Sequence, residues 1–215
     1  MIITALLLAI AVIAYLLGSV NGAIIVSRFL FHSDVRTLGS GNAGLTNFYR
    51  NYGAKGIAGV VGIDVAKGLL GAFIGGLLLG LATRDPLLVD EYVRIGRLFA
   101  TFCLVLGHVF PIFYGLRGGK GILVGVSAVF VVNSDAGLIA LVVFALAVVL
   151  TRYVSLGSVL GACSVPVTLL ANGFSALCLI LTLLTLLIII MKHMGNISRI
   201  IKKREPRFVF RRDLS

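Results

Sequence analysis

Apolar residues in this chain come in long uncharged runs rather than in the alternating pattern of half-buried strands. Residues 1–27 hold no Lys, Arg, Asp or Glu, and Arg28 is the first charge. A helix needs about 20 apolar residues to cross a bilayer core roughly 30 Å thick, so this run predicts a first span. A cleaved export signal would usually open with a basic segment. Met1-Ile-Ile-Thr has none, so the span is expected to be retained, and the A-x-A at Ala9–Ala11 lies inside the apolar run. Gly56–Thr83, interrupted by Asp64 and Lys67, predicts a second span. Leu98–Leu116, uncharged and with His108 near its middle, predicts a third. Residues 153–191 form 39 uncharged positions. Asn172-Gly173 near their middle is a turn signal and divides them into helices of 19 and 18 residues.

Residues 121–151 are ambiguous, because Asp135 cuts them into uncharged runs of 14 and 16, each short for a span. Charge sidedness decides. With two crossings here, fifteen of the 19 Lys and Arg fall on one side and Arg84, Arg94 and Arg97 on the other, with Lys67 inside a span. With one crossing the partition becomes six against twelve. The positive-inside tendency favours the first. The expected architecture is an all-α integral membrane protein of about seven transmembrane helices, one multi-pass domain over 1–215. Its amino terminus lies outside, and a basic tail, 192–215, is cytoplasmic.

Composition supports that class. The 215 residues are 59% hydrophobic and 13% charged, whereas soluble domains carry about 45–50% apolar and about 25% charged residues. Disorder is excluded, because it needs low hydrophobicity. The net charge of +11 raises a nucleic-acid reading, but a nucleic-acid module displays its charges on a soluble face. No nucleic-acid partner is expected. Cys103, Cys163 and Cys178 sit in apolar runs without a CxxC pair and read as buried small residues. Glycine is abundant, at 26 residues. Gly71, Gly75, Gly76 and Gly80 fit close helix packing.

The topology gathers the polar motifs on one face. The first loop there carries Gly39-Ser40-Gly41-Asn42-Ala43-Gly44-Leu45-Thr46-Asn47, then Arg50. It matches G-x-G-x-x-G formally, but a dinucleotide fingerprint follows a strand in a βαβ unit, and here a membrane span precedes it. The choice is a flexible loop or an anion site, in which exposed backbone N–H groups meet phosphate and Arg50 adds a fork. Asp64 and Lys67, at i and i+3, share a helix face. Charges inside a span are expensive, so the pair either orients helices or serves a site. Gly107-His108 leads to Arg117-Gly118-Gly119-Lys120-Gly121. This is not a Walker A loop, because the leading Gly and trailing Ser/Thr are missing. The two cations snorkel to the interface or hold an anion at a helix start. Ser155 and Ser158 lie at another helix mouth. His193, Asn196 and Arg199 recur at i, i+3 and i+6 and could share one side of a helix. The cations from Lys202 through Arg212 read as a lipid-facing tail. No pattern suggests a metal or cofactor. Few carboxylates (Asp34, Glu205, Asp213) share this face, a balance that suits phosphorylated substrates.

Taken together, these motifs resemble the bacterial acyl-phosphate:glycerol-3-phosphate acyltransferase (PlsY) family. The resemblance runs from Gly18-Ser19 to Glu205 and rests on Ser40–Asn47, Asp64–Gly68, His108–Gly121 and His193–Arg199. It departs at Asn21 and Ala43, where proline is usual, at Leu45, where alanine is common, and at Lys203, where glycine is frequent. What it implies is an inner-membrane enzyme with a cytoplasmic site. Such an enzyme moves an acyl group from acyl phosphate to the 1-hydroxyl of sn-glycerol 3-phosphate, giving lysophosphatidate and phosphate for phospholipid synthesis. The partners implied are those two substrates and membrane lipid; the enzyme that makes the acyl phosphate is a further candidate. On this basis Lys120, His193, Asn196 and Glu205 are the candidate catalytic residues. Ser40, Gly41, Asn42, Thr46, Asn47, Arg50, Lys67, His108, Gly118, Gly119, Ser155 and Ser158 are the candidate substrate-binding residues. The general base is left between His193, Glu205 and a substrate phosphate. The alternative from another class is a small transporter of phosphate or organic anions, since intramembrane charges and glycine-broken helices also mark transport paths.

Overall fold

The computed structural model describes residues 1–208; Arg211, Arg212 and Asp213 lie outside the described residues. Its helices are α1 Ile2–Ser19, α2 Gly22–Phe31, α3 Leu45–Tyr52, α4 Ile57–Gly80, α5 Pro86–Val109, α6 Ile122–Val132, α7 Ser134–Thr151, α8 Val154–Ala171 and α9 Ala176–Ile201. Among the described residues six stretches are long and apolar enough to cross a membrane, α1 with α2 counting as one. Many large apolar side chains on them, such as Phe73, Leu77, Val149, Leu150 and Val167, face outward, as lipid contact requires.

α6 is the short member. Its 11 residues rise about 16 Å, half of a bilayer core, so the expected seven are, among the described residues, six full-length stretches and one half-length helix. The chain still reverses twice. Asn133 caps α7, its side chain accepting from the Ala136 N–H at 2.8 Å, so the next helix begins at once. Two other limits differ from the sequence reading. α5 starts twelve residues before Leu98, because Asp85 accepts from the Leu87 N–H and Pro86 occupies the first turn, a favoured helix start. α9 continues past Met191 to Ile201, carrying Lys192 to Arg199 on helix.

The first span is broken at Val20–Asn21. A break inside a membrane frees backbone groups that no water satisfies. Asp64 and Lys67 of α4 satisfy them. The Lys67 ammonium donates to the carbonyls of Gly18, at 3.1 Å, and Val20. Asp64 accepts from the Gly22 N–H at 3.2 Å and pairs with Lys67 at 2.9 Å. Asn21 caps α2 and reaches the Ala43 carbonyl at 3.1 Å. The buried ion pair thus solvates the break, and through Asn21 the break holds the glycine-rich loop.

Packing uses the glycines of α4 as expected. Gly71, Gly75, Gly76 and Gly80 all face α5, and a side chain at Gly75 would strike the Gly96 backbone. The central core lies where α1, α4, α5 and α6 meet, around Ala72, Leu104, Val105 and Val124.

Candidate active site

One end of the bundle gathers the polar loops around a single large cleft of about 990 Å³. The Gly39–Gly44 loop and the start of α3 form one wall. Lys120, at the mouth of α6, and the last turns of α9 form the other. Ser155 and Ser158 at the start of α8 close the circle. Among the described residues five cations line the cleft, Arg50, Arg117, Lys120, Lys192 and Arg199, against two carboxylates, Asp64 and Glu205.

Lys120 is tied to this ring. Its ammonium donates to Asn196 Oδ1, Asn196 Nδ2 donates to Glu205 Oε1 at 2.6 Å, and Ser155 Oγ donates to the same oxygen at 2.8 Å. Arg199 Nε meets Glu205 Oε2 at 2.7 Å. Burial pulls the Lys120 ammonium down to about 8; Glu205 opposes the shift, and Arg199, Arg50 and Lys192 reinforce it. Burial alone would raise the Glu205 carboxyl, but hydrogen bonds from Asn196, Ser155 and Arg199 outweigh it and hold the group below its usual value. Both Glu205 oxygens are engaged, so this carboxylate orients its neighbours rather than serving as a free base. His193 is 2% exposed. Its Nδ1 bonds the Ile189 carbonyl at 2.8 Å, which assigns the proton to Nδ1 and leaves Nε2 as an acceptor.

The chain reaches Glu205 by turning back after α9. The Arg204 and Glu205 N–H groups donate to the Arg199 carbonyl. Arg50 donates to the Pro206 carbonyl at 3.3 Å, and Phe208 N–H to the Arg152 carbonyl at 2.7 Å. Lys202, Lys203, Arg204 and Arg207 remain exposed, but the segment through Phe208 roofs the cleft rather than trailing into lipid.

The glycine-rich loop is built around Asn47. Its buried amide donates to the Val35, Leu38 and Asn42 carbonyls and accepts from the Ser40 N–H. That leaves no N–H for a substrate; Asn47 shapes the loop, whereas Asn42 Oδ1 is buried with no partner. The loop is also held from outside. Arg36 pairs with Asp34 at 2.8 Å and donates to the Tyr114 carbonyl, and its guanidinium holds the Asp34 carboxyl well below the usual carboxylate range.

Of the sequence candidates, Ser40, Gly41, Asn42, Thr46, Asn47, Arg50, His108, Gly118, Lys120, Ser155, Ser158, His193, Asn196 and Glu205 line the cleft. Lys67 and Gly119 do not. Lys67 is spent on the helix break and on His108 Nδ1, 3.0 Å away. Gly119 is a packing position: its N–H donates to the His108 carbonyl, and a Cβ there would strike the His108 ring and, at 2.7 Å, the Ala43 carbonyl. Ser158 Oγ bonds its own helix at Val154.

Sequence reading missed the apolar half of the cleft. It continues between α6, α7, α8 and α9 past Leu123, Val126 and Phe144 to Leu98, Val129 and Val165. These residues look like any other lipid-span residues in the sequence; the gap opens because α6 packs on α4, α5 and α7 and scarcely on α8 and α9. Lys192, Arg199 and Arg117 also join the lining: Arg117 is half of the cation pair that the sequence offers for an anion, Arg199 shares the helix side of His193 and Asn196, and Lys192 was legible only as juxtamembrane charge.

A family model described as glycerol-3-phosphate acyltransferase matches residues 8–203. The chain belongs to the glycerol-3-phosphate acyltransferase family. A glycerol-3-phosphate acyltransferase of Thermoanaerobacter sp. (strain X514) is 39% identical over 199 residues, 92% of this chain and 93% of that one. One from Clostridioides difficile (strain 630) is 38% identical over 196 residues, 91% and 92% of the two chains. The crystal structure of the integral membrane glycerol 3-phosphate acyltransferase PlsY in its glycerol 3-phosphate form superposes with a TM-score of 0.81 at 32% identity, covering 94% of this chain and 96% of that one. Its lysophosphatidic acid form gives 0.80 at 30% identity, covering 95% and 96%. As in those structures, this family member is an integral membrane protein.

Proposed function

We propose that this chain transfers the acyl group of an acyl phosphate to the 1-hydroxyl of sn-glycerol 3-phosphate, releasing lysophosphatidate and inorganic phosphate. One observation carries the reading: a single cleft joins a cation-rich mouth to an apolar arm. Phosphates suit the first part, a fatty acyl chain the second, and their meeting point lies beside Lys120, His193 and Asn196. The relatives' shared name and the glycerol 3-phosphate and lysophosphatidic acid forms of the similar structure support it. The fifteen-to-three charge partition supports an orientation with this mouth in the cytoplasm of a bacterial inner membrane.

In this reading Lys120 and Arg50 grip phosphate, and Arg199 and Lys192 add to the field. The hydroxyls of Ser40 and Thr46 and the Asn42 backbone N–H orient the second phosphate, while the Ser40 and Gly41 N–H groups stay on Asn47 Oδ1 and the Leu38 carbonyl and hold the loop in shape. Gly118 lets the loop bearing Lys120 close over His108, and the Ser155–Glu205–Asn196 chain aims Lys120. The 1-hydroxyl oxygen attacks the acyl carbonyl carbon. The bond from that carbon to the bridging oxygen breaks, and phosphate leaves with the electron pair. The hydroxyl proton ends on the departing phosphate, directly or through His193 Nε2. Because an acyl phosphate is already activated, positioning and charge stabilisation supply most of the catalysis. Acyl phosphate, glycerol 3-phosphate and bilayer lipid are the proposed partners.

The test is purified protein in detergent with both substrates, following lysophosphatidate and phosphate together. Equal yields that depend on both substrates, and loss of most activity in Lys120→Ala, are expected. Acyl phosphate consumed without glycerol 3-phosphate dependence would overturn the reading, as would unchanged Lys120→Ala activity. In reconstituted vesicles, uptake of phosphate without product would favour the transporter instead. The polar groups gather at one end of the cleft rather than along a path through the bundle, which speaks against it.

A further inference from the structure

A second cavity, of about 320 Å³, opens at the other end of the bundle. Its position follows from chain direction. α5, α6, α8 and α9 bring His108, Gly121, Ser155 and His193 to the cleft end, so the start of α5, the α6–α7 junction and the α8–α9 turn lie at the far end. Arg94, Arg97, Asn133 and Asn172 line it, with Asp90 and Phe174. No part of the proposed acyl transfer uses these residues.

Arg97 is half-buried among α5, the α6–α7 junction and the α8–α9 turn, and a guanidinium taken partly out of water needs a partner or a wet cavity. Arg97 Nη1 donates to the Val131 carbonyl at 2.8 Å, near the end of the short α6. Its Nε is buried with no acceptor. Among the described residues no carboxylate lies within ion-pair distance of Arg97 or Arg94; Asp90 shares the cavity without pairing, and Arg94 stacks on the Phe174 ring at 4.7 Å. Asn172 Nδ2 meets Asn133 Oδ1 at 3.3 Å, which leaves the second Asn172 N–H able to donate. The start of α5, the α6–α7 junction and the α8–α9 turn thus enclose a polar recess whose described lining holds two guanidinium groups without an ion-pair partner, the Asp90 carboxylate and neutral amide donors.

We propose that this recess is an anion site for a phosphate group, independent of the acyltransferase cleft. Arg97 and Arg94 supply the charge, guanidinium forks suit phosphate oxygens, and Asn172 supplies a further donor. The chemistry is shared by a phospholipid headgroup and by free phosphate.

The full-length protein tests it with two probes. Inorganic phosphate is titrated in detergent by phosphorus NMR. Separately, nanodiscs of equal phosphatidylcholine and phosphatidylglycerol are disrupted, and retained lipid is counted by native mass spectrometry. Because the catalytic cleft also attracts phosphate, the signal is the component that survives Lys120→Ala and weakens in Arg97→Gln or Arg94→Gln. Selective retention of phosphatidylglycerol, weakened about fivefold per arginine removed, identifies a lipid headgroup. Saturable phosphate binding without lipid selectivity identifies a soluble anion. Either supports the proposal, and acyl transfer in the two arginine variants is expected to stay near wild type. Binding of both probes unchanged in Arg94→Gln and Arg97→Gln overturns it. So does Asp90→Asn destabilising the protein as much as Arg97→Gln while no anion is retained, since Asp90 would then be the counter-ion. Should Arg97→Gln fail to give folded protein, Arg94→Gln and Asn172→Ala decide by the same measurements.

Discussion

The pH dependence of acyl transfer is set by Lys120. An exposed lysine stays charged to about 10.4, but burial beside other cations pulls Lys120 down to about 8. Its phosphate grip needs the ammonium. kcat/KM for glycerol 3-phosphate, which reports the free enzyme, should therefore fall as pH rises through about 8. A charge-assisted hydrogen bond is worth about 1.5–3 kcal/mol, so the fall should level off at roughly 10- to 150-fold. Lys120→Arg, whose guanidinium keeps its charge above pH 12, should move this limb out of range, whatever its absolute rate. Stability runs the other way. Because the folded state lowers the lysine pKa, the unfolded chain binds more protons between about 8 and 10.5, and stability rises with pH across that window. The ammonium form costs the fold about 2–3 kcal/mol below pH 8, from the shift and its partial screening. Phosphate release between pH 6 and 10, with thermal unfolding in parallel, separates this from alkaline denaturation. A wild-type profile flat to pH 10, or a Lys120→Arg variant that keeps the limb near 8, would refute the reasoning.

Three further outcomes are expected. Glu205→Gln places an amide N–H₂ against one of the donors from Asn196, Ser155 or Arg199. It should lower kcat/KM by about 100-fold and stability by about 2–4 kcal/mol, read by product formation and a melting curve. The wild-type carboxylate contributes stability above its usual pKa, lost as pH falls through its lower folded value, so Glu205→Gln should lack that acid dependence. Gly119→Ala forces a methyl into the His108 ring and the Ala43 carbonyl; overpacking of about 1–3 kcal/mol should shift the Lys120 loop, and unchanged activity would show that the loop absorbs it. Val129→Phe fills the far end of the apolar arm and should lower the rate with a long-chain acyl phosphate about tenfold more than with a short-chain one, checked by competition between the two donors.

The membrane class, the number of chain reversals and the one-sided clustering of polar motifs were all legible in the sequence. Uncharged runs and the placement of Lys and Arg depend on hydrophobic and electrostatic terms that act locally along the chain. The same holds for the turn at Asn172-Gly173 and the close helix packing of Gly75. The roles of individual polar residues were not legible. Asp64 and Lys67 read equally as helix-orienting pair or site residues until the break at Val20 showed which carbonyls Lys67 must satisfy. Asn47 and Asn196 are the same residue type in polar loops and helix ends. Tertiary structure turns one into the loop's internal brace and the other into the link between Lys120 and Glu205. The apolar arm was invisible, because a residue facing lipid and one facing a cleft have the same apolar character. It exists because α6 packs on α4, α5 and α7 and scarcely on α8 and α9, and only the neighbours decide whether such a gap is filled. Sequence thus determined what the bilayer acts on, one residue at a time. Structure decided what depends on which groups meet, since an unmet carbonyl, an unpaired charge or an unfilled volume belongs to several segments at once.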